Sequence, residues 1–141
     1  MVRKYTLYLA GVLALVLGSV GCGGSHHSNV PPAGTGGYFD AAWNLFDSTG
    51  RQTTCEAAGI QVVVLATKNL YTNEAFYDEF SCNQYGGVSD SLYAANYSAA
   101  FYLYADPDLR YLVTSYFLPD ASYPIYDNRT TELPVANISV R

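Results

Sequence analysis

CEAAGIQVVVLATKNLYTNEAFYDEFSC, residues 55–82, is the stretch on which the fold turns. Residues 60–67 form a β-branched, apolar run. The end of the stretch, EAFYDEFSC, alternates aromatic and acidic residues, and the polar KNLYTN lies between. This pattern predicts two strands joined by a turn, with a cysteine at each outer end. A turn centred on Lys68 and Asn69 sets Ile60 opposite Tyr77, Val62 opposite Ala75 and Cys55 opposite Cys82. Opposed residues in an antiparallel pair have Cα atoms about 4.5–5.5 Å apart, within reach of a disulfide. EAAG, residues 56–59, is poor strand sequence, so the pairing is expected to break before Cys55. The bridge then ties the loop ahead of the first strand to the end of the second. In either geometry it closes a loop of about 27 residues, worth on the order of 3–4 kcal/mol. The alternative is two free buried thiols, and the redox compartment decides between them.

The N-terminus speaks to that compartment. Arg3 and Lys4 precede an uncharged apolar stretch over residues 5–20, which reads as a secretory signal. The stretch is short for a membrane span, which needs about 20 residues. It ends in GSVGC, which resembles the lipobox of bacterial lipoproteins, with Gly21 and Val20 before Cys22 and Ser19 where Leu, Val or Ile is usual. The resemblance implies that Cys22 becomes the lipidated first residue of a lipoprotein at the outer membrane or cell surface of a Gram-negative bacterium. The cysteine count agrees: of three, Cys22 is spent on lipid and Cys55 and Cys82 are left as one pair. Without residues 1–21, five basic residues stand against twelve acidic ones, a net charge of −7. That balance disfavours nucleic acid and anionic headgroups, so the membrane is reached through the lipid.

Residues 22–37, CGGSHHSNVPPAGTGG, read as the lipid-bearing cysteine and a Gly/Ser/Pro tether. His26 and His27 sit in this linker, where adjacent histidines cannot preorganise a metal shell. The folded domain is expected over residues 38–141. In YFDAAWNLFD, Phe39, Ala41, Trp43 and Leu45 share one face, and Trp43, the only tryptophan, is expected in the core. DSTGRQTT (47–54) is a turn, and NQYGGVSD (83–90) a Gly-rich loop. Ser91 opens a stretch that is expected to begin with a helical turn over 91–95. Strand 96–105 follows, with Tyr97, Ala99, Phe101 and Leu103 on one face and Ser98, Ala100, Tyr102 and Tyr104 on the other. Asp106-Pro107-Asp108 is a turn, 109–118 the returning strand, and two short strands flank Asp127-Asn128. Pro134 predicts an edge or a bulge. About seven short strands with turns between them predict one all-β domain, an antiparallel β-sandwich, with a small closed barrel as the runner-up.

Several features, in order, are similar to bacterial lipoproteins carrying one Ig-like or transthyretin-like domain, of the carboxypeptidase regulatory-like kind. They are Trp43-Asn44-Leu45, the C-x-x-A-G of Cys55 to Gly59, the valine strand, Phe80-Ser81-Cys82, Asn96-Tyr97 and Leu133-Pro134-Val135. Asn96 stands where that family usually has Gly. The resemblance implies a sandwich fold and export, and no activity.

No catalytic constellation, cofactor motif or metal spacing stands out in residues 38–141, which hold no histidine. Asp78 and Glu79 are neighbours on a strand, so they point to opposite faces and read as solvated edge residues. Asp106 and Asp108 read as a turn rather than as calcium ligands. The excess is in tyrosine, 14 in all. Tyr102, Tyr104, Tyr111 and Tyr116 are the candidate binding surface, since exposed aromatics make good contact area for a protein or a glycan. The expected function is a non-catalytic structural or protein-binding envelope module, with a carbohydrate-binding or adhesive role as the alternative.

Overall fold

The computed structural model describes residues 35–141, so Cys22, the expected signal segment 1–21 and most of the expected tether 22–37 lie outside the described residues. The chain folds as an all-β sandwich of two five-stranded sheets. In chain order the strands are β1 (Tyr38–Phe46), β2 (Gln52–Thr53), β3 (Val62–Asn69), β4 (Ala75–Ser81), β5 (Gly86–Val88), β6 (Ala95–Tyr104), β7 (Leu112–Phe117), β8 (Tyr123–Ile125), β9 (Thr130–Glu132) and β10 (Ala136–Ser139).

The first sheet is built around β1. One side of β1 pairs antiparallel with β5 and then β2; the other pairs parallel with β9 and then β10. The parallel pairing departs from the purely antiparallel expectation. It arises because the C-terminal segment crosses over from the other sheet and runs alongside β1. Leu133-Pro134-Val135 separates β9 from β10, and Pro134 is exposed at this edge. The strand count exceeds seven because β2, β5, β8 and β9 are only two or three residues long.

The second sheet runs β4-β3-β6-β7 and is antiparallel, with β8 continuing along β6 beyond β7. Its β3–β4 register sets Val62 opposite Ser81 and Ala66 opposite Tyr77. The expected register centred the turn on Lys68 and Asn69; the turn lies three residues later. Lys68 stays in the ladder opposite Ala75. The Asn69 side chain accepts the N–H groups of Tyr71 (2.9 Å) and Thr72 (3.1 Å), and Asn73 takes the left-handed conformation that lets the chain return. Each strand-4 partner moves by an even number of residues, so every side chain keeps its expected face.

Between the sheets lies the core: Phe39, Ala41, Trp43 and Leu45 from β1, Val63 and Leu65 from β3, and Tyr97, Phe101 and Leu103 from β6. Trp43 is 1% exposed, packs 6.0 Å from the rings of Phe80 and Phe101, and donates its indole N–H to the Cys82 carbonyl at 3.3 Å. Cys55 and Cys82 form a disulfide with Cα atoms 5.8 Å apart. Residues 54–59 form turns rather than strand, so the bridge ties this loop to the end of β4. The segment 91–95 is not a helical turn. Leu92 bridges Gly37, and Ala95 already belongs to β6.

One flank of the sandwich is shut by close approach of β5 to β4. A Cβ on Gly87 would lie 2.3 Å from the Phe80 ring, so only glycine admits this contact. The Asp90 N–H then donates to Asp78 at 2.7 Å.

Candidate binding face

The outer face of the second sheet is set by strand parity. From β4 it receives Tyr77 and Glu79; from β3, Val62, Val64, Ala66 and Lys68. From β6 come Ser98, Ala100, Tyr102 and Tyr104, and from β7, Ser115 and Phe117. One row across the sheet reads Tyr77, Ala66, Ala100, Phe117. The two alanines leave a low floor, and the two aromatic residues at its ends are each 68% exposed. The result is a trough of about 360 Å³, with Tyr102 on one side and Lys68, Ser98, Pro119 and Asp120 at its rim. The Tyr102 and Phe117 rings meet edge to face, 6.3 Å apart, which steadies that wall.

A second hollow of about 290 Å³ lies beside it, lined by Val64, Tyr77, Glu79, Tyr102, Tyr104 and Leu109. Val64 points out of the sandwich and is still only 4% exposed, because the rings around it shield it. Tyr77 and Tyr102 line both hollows.

The four tyrosines expected to form a surface do not lie together. Tyr102 and Tyr104 are on the outer face. Tyr116 is not: it stands opposite Phe101, points inward and packs against the core. Tyr111 is 69% exposed but lies beyond the bulge at Val113, where the chain pairs with Ala105 at the end of the sheet. Adjacent strand residues alternate faces, so Phe117 takes the place that Tyr116 was expected to fill. Tyr77 belongs to the surface too, and the alternation of Tyr77 and Glu79 against Phe76, Asp78 and Phe80 is the signal that points to it.

The acidic candidates separate as the alternation requires, but Asp78 is not solvated. It is half-buried, and burial raises its pKa, helped by the neighbouring Asp90 charge and opposed by the Asp90 N–H. Its Oδ2 atom is buried with no partner. Asp106 is a turn organiser: it accepts the N–H groups of Asp108, Arg110 and Tyr111. Those bonds outweigh desolvation and hold its pKa below the usual value. Asp108 pairs with Arg110 at 2.9 Å. Neither carboxylate is set up as a cation ligand, and no group of three or more His, Cys, Asp or Glu gathers among the described residues.

No protein-family model and no curated protein matches the chain. A solved structure of a leucine-rich repeat protein from Bacteroides thetaiotaomicron aligns with a TM-score of 0.47 at 15% identity, over 77% of this chain and 14% of that one. A likeness that slight carries no argument about function.

Proposed function

We propose that this protein is an exported, lipid-anchored module of the cell envelope with a non-catalytic role: it presents the outer face of the second sheet to an envelope protein. The observation that carries this reading is the alanine-floored trough between Tyr77 and Phe117, two aromatic side chains 68% exposed on a sheet face. Exposed aromatic area rimmed by polar groups is the composition of contact surfaces rather than of ordinary protein surface. The GSVGC lipobox resemblance and the disulfide both support an exported location. The Ig-like or transthyretin-like lipoprotein resemblance agrees with it.

A second reading has its own support. The trough is aromatic on two sides and edged by Lys68, Ser98 and Asp120, which suits a glycan as well as a protein. Binding of the mature protein to a glycan array and to purified envelope fractions, beside a Tyr77→Ala/Phe117→Ala variant, tests both. Retention by envelope protein that the variant loses is the expected result. Loss of array signal in the variant moves the assignment to glycan. Equal binding by variant and parent removes this face from either role.

A further inference from the structure

We infer that the second hollow on this face is a pocket for one basic side chain, lysine or arginine, of the partner protein; this rests on the protein-binding reading of the face. The pocket is centred on one row of the sheet. Val64 is its floor, with Glu79 opposite on β4 and Tyr102 opposite on β6. Neighbouring strands lie about 4.8 Å apart, so Glu79 and Tyr102 face each other across a floor about 10 Å wide. Tyr77 stands one row to one side and Tyr104 one row to the other. Leu109 completes the lining of this space of about 290 Å³.

Leu109 is held there against its own preference. It has the left-handed conformation, with φ at 55°, which a leucine rarely adopts. The Asp106 carboxylate keeps the turn in that shape by accepting the N–H groups of Asp108, Arg110 and Tyr111 around it. Strain of this kind persists only where the surroundings impose it. Here it brings an apolar side chain to the edge of an aromatic hollow.

The lining selects a cation. Three tyrosine rings attract positive charge through their π faces. Glu79 is the one charged residue of the lining, and its carboxylate is exposed with no ion pair among the described residues. The chain does not supply the cation itself. Arg110, next to Leu109 in the turn, is held by Asp108 at 2.9 Å, and Lys68 lines the neighbouring trough. Five basic residues against twelve acidic ones from Tyr38 onward give a field that draws cations and repels acidic ligands. The Val64 floor, 4% exposed, then selects the source. Lysine and arginine lay an apolar stem on such a surface while their heads reach charge, whereas a small quaternary ammonium has no stem to lay. Tyr77 and Tyr102 line both hollows, so a partner segment with an apolar residue in the trough can seat a neighbouring basic residue here.

Titration of the purified protein with end-blocked pentapeptides tests this, with lysine or its uncharged isostere norleucine at the centre of an otherwise uncharged sequence. NMR shifts of the Val64, Tyr102 and Tyr104 amides report on the pocket. The lysine peptide is expected to move them and to bind about fivefold more tightly than the norleucine peptide. Glu79→Gln, at an exposed position, is expected to erase that difference with the melting temperature unchanged, and high salt to shrink it. Equal binding of the two peptides, no shift at these amides, or a difference that survives Glu79→Gln overturns the assignment. Choline that moves these amides where the lysine peptide does not overturns it too, in favour of a small quaternary ammonium. Envelope retention that Tyr77→Ala/Phe117→Ala abolishes and Glu79→Gln leaves whole would remove the basic side chain and keep the face. Retention untouched by either variant would remove both.

Discussion

Trp43 joins three parts of the core through one side chain. Its ring fills the space between the sheets against Phe80 and Phe101, and its indole N–H reaches the carbonyl of the bridged Cys82. Truncation to alanine removes this filling where the surroundings are held by two sheets and a disulfide. Trp43→Ala is expected to cost about 3–5 kcal/mol, measured by urea unfolding. The native protein should emit at short wavelength and resist acrylamide quenching. Asp78 makes the opposite contribution. Burial raises its pKa, so the folded chain keeps the proton to a higher pH than the unfolded chain does. Stability is then lost as pH rises from the ordinary value of 3.8 through the raised one. Asp78→Asn keeps an oxygen for the Asp90 N–H and removes the charge. Its urea midpoint at pH 7 is expected to exceed the parent's, with the gap closing as pH falls toward 4. A constant gap across that range would mean that Asp78 does not titrate in the fold.

The β3–β4 unit marks the boundary between what was legible in the sequence and what was not. The face on which each residue falls is a local property, set by the two-residue period of a strand. It was therefore readable for β1 and β6: Phe39, Trp43, Tyr97 and Phe101 are buried as their alternation requires, whereas β3 is an unbroken apolar run with no alternation to read. The turn was misplaced by three residues because its position depends on the Asn69 side chain bonding to Tyr71 and Thr72, which no hydrophobic pattern records. The partners of β1 were beyond reach for a different reason: β9 and β10 lie about ninety residues away along the chain, and nothing local specifies a parallel neighbour. The binding face was half legible. Tyr102 and Tyr104 follow from alternation within β6, whereas the trough needs Ala66, Ala100, Tyr77 and Phe117 aligned in one row, which only the register of four strands supplies. The disulfide was legible in its pairing, and its burial gives a further expectation. Both cysteines are at most 1% exposed, so a mild reductant should act on the native protein only as fast as it opens. In urea, reduction should be rapid. Once reduced, the domain should melt more than 10 °C lower, as follows from about 3 kcal/mol in a domain of this size. Rapid reduction of the native fold would show that the loop at residues 54–59 opens freely.

At the scale of the whole molecule, the acidic domain and its attachment must be considered together. From Tyr38 onward the chain carries five basic and twelve acidic residues, so the folded part is repelled by an anionic membrane surface. No described helix is long and apolar enough to cross a membrane. Cys22, which follows GSVG, is the residue we propose as the membrane anchor. A lipid on a cysteine at the start of a Gly/Ser/Pro tether would hold the sandwich near the membrane while the tether kept its acidic surface clear of it. Mass spectrometry of the mature protein is expected to find an N-terminal cysteine carrying acyl chains and no residue before Cys22. Cys22→Ser is expected to move the protein from the membrane to the soluble fraction with its melting temperature unchanged, since the core is built from residues 39–140. A mature product beginning elsewhere, or a Cys22→Ser variant that stays on the membrane, would refute lipid anchoring. The second result would place the attachment on the sandwich itself, where the aromatic face of the second sheet is the surface to test.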